Sequence, residues 1–330
     1  MIPIREQYLS WPSQLTETYS KALEARQGSV DLGEHRLVLG CGMGGSGFSL
    51  YAIKPLMEEA KPYIVERSDR LPSYVNDRDL VVGVSYSGET YETISCVRKA
   101  LEKGAKTAIV AGRDSTLYNL GVKNKSAIVG IEKKGHPRSS LASLVGGLLA
   151  LLLGDTVKDQ VDVIAGQLRV GKAEEIAGEV AGLIWNQGDP LTPIIASCGP
   201  LGFVAERWAT ELAENAKHPA LVEIFPEAGH NAVARWYYTR GRYATIYIDL
   251  SQDRLCRLVK AHIEEHYSSI GPVKVVDATA EAASHPLAGV LYSALIAGLA
   301  SVRLAEYMGR DPEVIEGISL YKKSVTGRLA

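Results

Sequence analysis

The stretch LVLGCGMGGSG, Leu37 to Gly47, decides the fold: a short aliphatic run passes straight into a turn built of glycines. A run that is short and wholly apolar, halted by glycine and followed by a helix-length segment, reads as a buried strand entering a βαβ unit. Working outward, the same plan recurs at Tyr63 to Glu66, Leu80 to Val84, Ala105 to Val110 and Ala127 to Ile131. Leu141 to Leu153 then reads as a wholly buried helix closing a first domain, 1–153. Strands alternating with helices predict a doubly wound parallel sheet with helices on both faces.

Residues 154–189 are charged and helical in period, with no strand, and read as a helical link. The strand plan resumes at Pro193 to Ser197, Val222 to Phe225, Ala244 to Ile248 and Val273 to Val276. A long helix is expected from about Pro286 to Met308 and a short one from about Pro312 to Ser324. This second domain, 154–330 with the link and the C-terminal helix, also opens with a strand and a glycine turn, IIASCGPLG. The fold class expected is therefore α/β, with two αβα sandwich domains of parallel sheet joined by helical segments.

A chain of 330 residues, 46% hydrophobic and 22% charged, has material for two ordinary cores. Its formal charge of −2 argues against nucleic acid or a membrane surface as partner. The longest apolar stretch is read as Leu141 to Leu153, too short to span a bilayer, and the N-terminus lacks the apolar region of a signal peptide. Cys41, Cys96, Cys198 and Cys256 are scattered singly. That spacing argues against a disulfide framework or a zinc–thiolate site and for a reducing, cytoplasmic setting.

Gly40, Gly42 and Gly45 satisfy G-x-G-x-x-G after a strand, and Glu66 ends the next strand where a ribose-binding acid would lie. Alone, this reads as a dinucleotide site, or simply as a glycine turn common to α/β sheets. Two features turn it toward a smaller anion. Gly45-Ser46 puts a hydroxyl at the start of the helix. A second loop, SYSGET, brings Ser85, Ser87 and Thr90 to another helix start, where free N–H groups and the dipole favour an anion. The bland reading is a helix capped by Ser or Thr. Three hydroxyls with a glycine after an apolar strand favour a pocket for a single phosphate monoester.

GMGGSG and SYSGET resemble the sugar-binding loops of the sugar isomerase (SIS) domain, and two such domains resemble the phosphoglucose isomerase superfamily. ERWATELAENAKHPALVEIFPEAGHNAV, Glu206 to Val233, is similar to the catalytic segment of the archaeal bifunctional phosphoglucose/phosphomannose isomerases. The resemblance implies an enzyme interconverting glucose 6-phosphate, and mannose 6-phosphate, with fructose 6-phosphate through an enediol(ate), using no cofactor and no metal. It also implies a homodimer with shared active sites. A glucosamine-6-phosphate synthase would need a glutaminase domain ahead of residue 37, and a SIS regulator a DNA-binding domain. A non-catalytic sugar-phosphate-binding protein is the alternative from another class, and an NAD-dependent oxidoreductase stands behind it.

Such an isomerisation needs one base serving both C1 and C2, an electrophile for the developing oxyanion, and an acid/base pair that opens the ring. The resemblance makes Glu214, in ENAK, the base; its bland reading is a solvated helix glutamate, and Glu211, one turn earlier, is the fallback. It makes His230 a ring-opening group contributed by the second subunit, against a structural histidine. It assigns Arg138 to the enediolate, as a rigid planar cation suits, against a surface arginine beside a proline turn. Lys322 is the second ring-opening partner. Lys323 stays open, with helical phase favouring Lys322, four residues after Ile318. His262-Ile263-Glu264-Glu265-His266 fits an inverted zinc motif, but its charged surroundings read as a solvated face.

Overall fold

The structure is a computed structural model describing residues 2–325 apart from 237 and 240. Every run read as a strand is one. The first sheet takes β1 (Val38–Gly42), β2 (Tyr63–Glu66), β3 (Leu80–Ser85), β4 (Lys106–Gly112) and β5 (Ala127–Ile131) in the order β2-β1-β3-β4-β5, all parallel. β1, β3 and β4 are buried almost throughout, as continuous aliphatic strands covered on both faces must be.

Ahead of the sheet lie α1 (Ile4–Leu9) and α2 (Trp11–Ala25). Between strands run α3 (Gly44–Ala52), α4 (Lys54–Ala60), α5 (Tyr91–Glu102) and α6 (Thr116–Lys123). α7 (Leu141–Leu152) is the expected core helix, packed along α2 and buried except at Ser143, whose hydroxyl donates to Gln14 Oε1 of α2 at 3.3 Å. In this order the chain leaves β1 toward β2 on one side, and β3 begins the run to the other. The carboxyl ends of β1 and β3 therefore flank a topological switch point, where open α/β sheets place ligands.

The second sheet takes β6 (Thr192–Cys198), β7 (Leu221–Phe225), β8 (Tyr243–Asp249) and β9 (Val273–Asp277) in the order β7-β6-β8-β9, the first sheet's plan less its last strand. Its helices are α9 (Val170–Trp185), α10 (Val204–Glu211), α11 (Val233–Trp236), α12 (Arg254–His266), α13 (Thr279–Ser284) and α14 (Pro286–Tyr307), with α8 (Lys158–Gln167) preceding them and α15 (Glu316–Ser324) following.

Three expectations are corrected. The boundary drawn at 153/154 falls too early, because one compact unit continues to Gly166 and takes in the C-terminal helix α15, while the other spans Gln167–Ile315. The supposed link is thus two structural helices. α8 buries Val161 and Ile164, and α9 lies along α14 with Ala173, Ala177, Val180 and Ile184 buried. Secondly, α14 and not Leu141 to Leu153 is the longest apolar segment; by length and composition it could cross a membrane, and nearly all of it is buried in the protein.

Thirdly, the cysteines pair, Cys41 with Cys96 and Cys198 with Cys256. Distance along the chain misled, because a crossover returns α5 against β1 and α12 against β6. Cys41 and Cys96 share one cluster of buried apolar side chains, and Cys198 and Cys256 share another. The two bridges occupy matching places in the two units, each joining a unit's first strand to the helix after its neighbour. The inference of a reducing setting from cysteine spacing loses its basis.

Candidate active site

The two hydroxyl-bearing loops meet at the switch point of the first sheet. Ser46 lies in the first turn of α3, and its Oγ accepts from the N–H of Tyr86 at 3.0 Å, tying the loop after β1 to the loop after β3. Ser85 Oγ lies 2.9 Å from Thr90 Oγ1 and 3.4 Å from Ser87 Oγ, and accepts from Gly88 N–H at 3.0 Å. Thr90 is the N-cap of α5 yet makes no side-chain cap bond, so its hydroxyl belongs to the loop cluster and the bland capping role does not apply. Gly45 precedes Ser46 within the same first turn of α3, which begins at Gly44. Gly88 needs its glycine twice over: its φ is +74° and a Cβ there would stand 1.8 Å from Ser115 Oγ.

The one carboxylate in SYSGET is turned away. Glu89 accepts from Thr116 N–H at 2.9 Å and from the Thr116 hydroxyl at 2.6 Å, at the start of α6. What remains is a cradle of hydroxyls at two helix N-termini, a setting for one compact anion. The dinucleotide fingerprint fares less well: Gly40 and Gly42 lie within β1, and a Cβ at Gly40 would strike Leu50 and Tyr63. Gly40 thus makes room for packing and forms no part of a phosphate turn.

Arg138 stands in the same unit, in the tight turn Arg138–Ser140 after β5, and is buried, which sets aside the reading as a surface arginine. The turn is fixed from several sides. Gly135 N–H donates to Tyr86 Oη at 3.0 Å, Trp11 Nε1–H to Ser139 O at 2.8 Å, and His136 N–H to Gln7 Oε1 at 2.9 Å. Tyr86 therefore donates its N–H to Ser46 and accepts at its phenolic oxygen from Gly135, ahead of the Arg138 turn. Lys322 and Lys323 are both exposed on α15, which has no buried residue, so the helical phase that favoured Lys322 finds no apolar face to rest on.

In the second unit, α10 runs into a π-helical turn, Leu212–Ala216, that carries Glu214. π-turns are rare and recur at functional positions. Glu214 is half-buried, whereas Glu211 is fully buried and ion-paired with Arg207. His230 ends a short turn, Glu227–His230, and is exposed. The two lie at opposite ends of the sheet. His218, just past the π-turn, bonds through Nε2 to Leu191 O, ahead of the start of β6, at 2.9 Å. His230 follows the far end of β7, where Phe225 O accepts from Gly199 N–H at 3.0 Å. β7, five residues long, puts about 16 Å between those ends.

Among the described residues, the second unit shows no equivalent of the anion cradle. After β8, where SYSGET would fall, Asp253 caps α12 by accepting from Cys256 N–H at 2.9 Å and from the Ser251 hydroxyl. The Ser251 hydroxyl and the Cys256 N–H hold its carboxyl below the usual range, so the helix N-terminus already carries an anion of its own. On α12, His262 and His266 are exposed with ring centroids 4.6 Å apart, and among the described residues no three of His, Cys, Asp and Glu gather to hold a metal.

Residues 34–152 match the model of the SIS domain, and residues 169–325 that of the bacterial phospho-glucose isomerase C-terminal SIS domain. Over 331 residues the chain is 30% identical to the bifunctional phosphoglucose/phosphomannose isomerase of Aeropyrum pernix, covering 96% of both. The chain belongs to the bifunctional phosphoglucose/phosphomannose isomerase family. The Aquifex aeolicus member is 29% identical over 322 residues, covering 94% of this chain and 97% of that one. In fold alone, the chain is similar to the C-terminal domain of glucosamine-fructose-6-phosphate aminotransferase from Francisella tularensis, with a TM-score of 0.72 at 15% identity, covering 95% and 99%.

Within this phosphoglucose/phosphomannose isomerase architecture, sequence reasoning passed over Tyr86, Gln7, Glu89 and Asn215. Only Tyr86 and Glu89 carried a local signal, an aromatic and an acid inside a loop of hydroxyls. Gln7 acts across a long sequence distance, and Asn215, although inside ENAK, takes its meaning from Ser301, which a distant helix brings to it.

Proposed function

We propose that this member of the family is an aldose–ketose isomerase that interconverts glucose 6-phosphate, and mannose 6-phosphate, with fructose 6-phosphate. The observation that carries the reading is the cradle of Ser46, Ser85, Ser87 and Thr90 at the switch point, with Glu89 turned away from it. It suits one phosphate monoester, whose anchoring would hold a six-carbon sugar in place.

The chemistry follows from the residue types. Glu214 is the base that removes the proton from C2 of the open-chain aldose and returns it to C1. A carboxylate with two oxygens on a short stem can serve adjacent carbons. Arg138 stabilises the enediolate oxygen, a role that needs a planar cation with directed N–H groups. His230 and Lys322 exchange the proton between the ring oxygen and the C1 hydroxyl that opens the hexose ring. Because His230 stands on an exposed turn at the far end of β7 from Glu214, a second copy of the chain is the source of the histidine for a given site, and the working enzyme is a homodimer.

The test is a pair of coupled assays, with glucose 6-phosphate and with mannose 6-phosphate, on the wild type and on Glu214→Gln. Turnover of both epimers and a loss of about 10³-fold or more in kcat for the variant are expected. Full activity in Glu214→Gln would overturn the mechanism, and no turnover of mannose 6-phosphate would restrict the substrate to one epimer.

A further inference from the structure

The π-turn that carries Glu214 is held at each residue that follows. Asn215 is completely buried, and its Nδ2 donates to Glu211 Oε2 at 3.0 Å and to Ser301 Oγ at 2.9 Å. The Ser301 hydroxyl passes its own proton on to Gly298 O at 2.8 Å, one turn back in α14. Glu211 takes Arg207 on its other oxygen. Further along, Arg310 Nη1 donates to Ala216 O at 2.7 Å and to Lys217 O at 2.9 Å, and Lys217 Nζ donates to Asn215 O at 3.1 Å and to Asp311 O. Lys217 itself sits in the left-handed region, φ +51°.

This is more than a helix end requires. A π-turn widens the helix by a residue and persists only when its surroundings over-determine it. An apolar core would hold α10 against α14 at least as stably as a buried chain of Arg, Glu, Asn and Ser. What the polar chain supplies is register. Slipping the turn by one residue would break both Asn215 bonds and take that donor from Glu211 Oε2, leaving the carboxylate to Arg207 on its other oxygen. It would also rotate residue 214 by about 100° around the helix axis.

We infer that Asn215 and Ser301 are positioning residues, which lock the π-turn so that the half-exposed Glu214 keeps one fixed direction. The inference rests on Glu214 being the base, as proposed above. Aldose–ketose isomerisation makes this demand because the same carboxylate must reach two adjacent carbons in turn, and a misplacement of about 1 Å can cost on the order of 100-fold in rate.

Three variants and the Glu214→Gln control test it. Ser301→Ala removes one acceptor and is expected to lower kcat about tenfold with KM within about twofold of wild type, while Ser301→Thr, which keeps the hydroxyl, restores most of it. Asn215→Asp places a second carboxylate against Glu211. It is expected to lower kcat by about 100-fold at neutral pH and to recover relative to wild type as the pH falls, when the pair shares one proton and again makes a donor–acceptor bond. A merely structural loss would not give that recovery at unchanged KM. If Asn215→Asp does not fold, the Ser301 pair decides alone. Wild-type kcat in Ser301→Ala with an inactive Glu214→Gln overturns the positioning role and leaves the base intact. Activity retained in Glu214→Gln removes the base and the positioning role with it.

Discussion

Glu214 and His230 stand at opposite ends of one strand: the π-turn lies before the start of β7 and the histidine turn after its end, about 16 Å of extended chain apart. On the proposed reading, the general base and the ring-opening acid for one hexose therefore come from two copies of the chain. The separation makes complementation between inactive subunits possible. Mixed and reassembled homodimers of Glu214→Gln and His230→Ala should regain about a quarter of wild-type activity. Random pairing makes about half of the dimers mixed, and each mixed dimer holds one intact site of two. Activity that stays at the level of the separate variants after subunit exchange, shown by tagged co-purification, would mean that each chain supplies both groups to its own site.

The cradle makes a different demand on its variants. Ser87→Ala removes a hydroxyl from the proposed phosphate cradle without touching the groups assigned to proton transfer, so KM for the sugar phosphate should rise about tenfold or more, with kcat changed far less. A hydrogen bond to a charged group contributes roughly 1.5–3 kcal/mol. Steady-state kinetics on the variant, with inorganic phosphate as a competitive probe, checks it. An unchanged KM and unchanged phosphate inhibition would remove Ser87 from the site.

The paired cysteines bear on stability. Each bridge closes a wide loop, with partners 55 and 58 residues apart, and the chain-entropy model assigns about 4 kcal/mol to loops of that size. Protein denatured without reductant should show no reactive thiol, and reductant should lower the melting temperature by roughly ten degrees. Cys41→Ser and Cys198→Ser should each reproduce part of that fall. Thiol titration finding four free groups would contradict the pairing.

How much of this was legible in the sequence divides along a physical line. Strands, glycine turns and the hydroxyl loop are local: an aliphatic run ending at Ser85, with Ser87, Gly88 and Thr90 behind it, carries its meaning within a dozen residues. Glu214 was distinguished from Glu211 only by likeness to a family motif, and burial explains why the two differ, since Glu211 is committed to Arg207 and Asn215. The cysteine pairs and the early domain boundary were misread because each depends on what a crossover or a returning helix brings back, and spacing along the chain does not encode that. Lys322 could not be told from Lys323 because α15 buries neither.

Asp79 gives the fold of the first unit a measurable dependence on pH. It is wholly buried ahead of β3, where Arg36 binds it at 2.9 and 2.7 Å and Asn76 N–H donates to it at 2.9 Å. Burial pushes the carboxyl up, but the Arg36 and Asn76 bonds outweigh it, so the group titrates below its usual range. A carboxyl depressed in the folded state adds stability that is complete above its unfolded value, near 3.9, and is lost as the pH falls through the lower folded value. Asp79→Asn should therefore be less stable than wild type by about 1–3 kcal/mol at neutral pH, with the gap narrowing only in acid below about pH 4. Urea denaturation of both proteins at several pH values measures the gap. A difference that stays constant down to pH 3 would mean that Asp79 is held by packing and not by its charge.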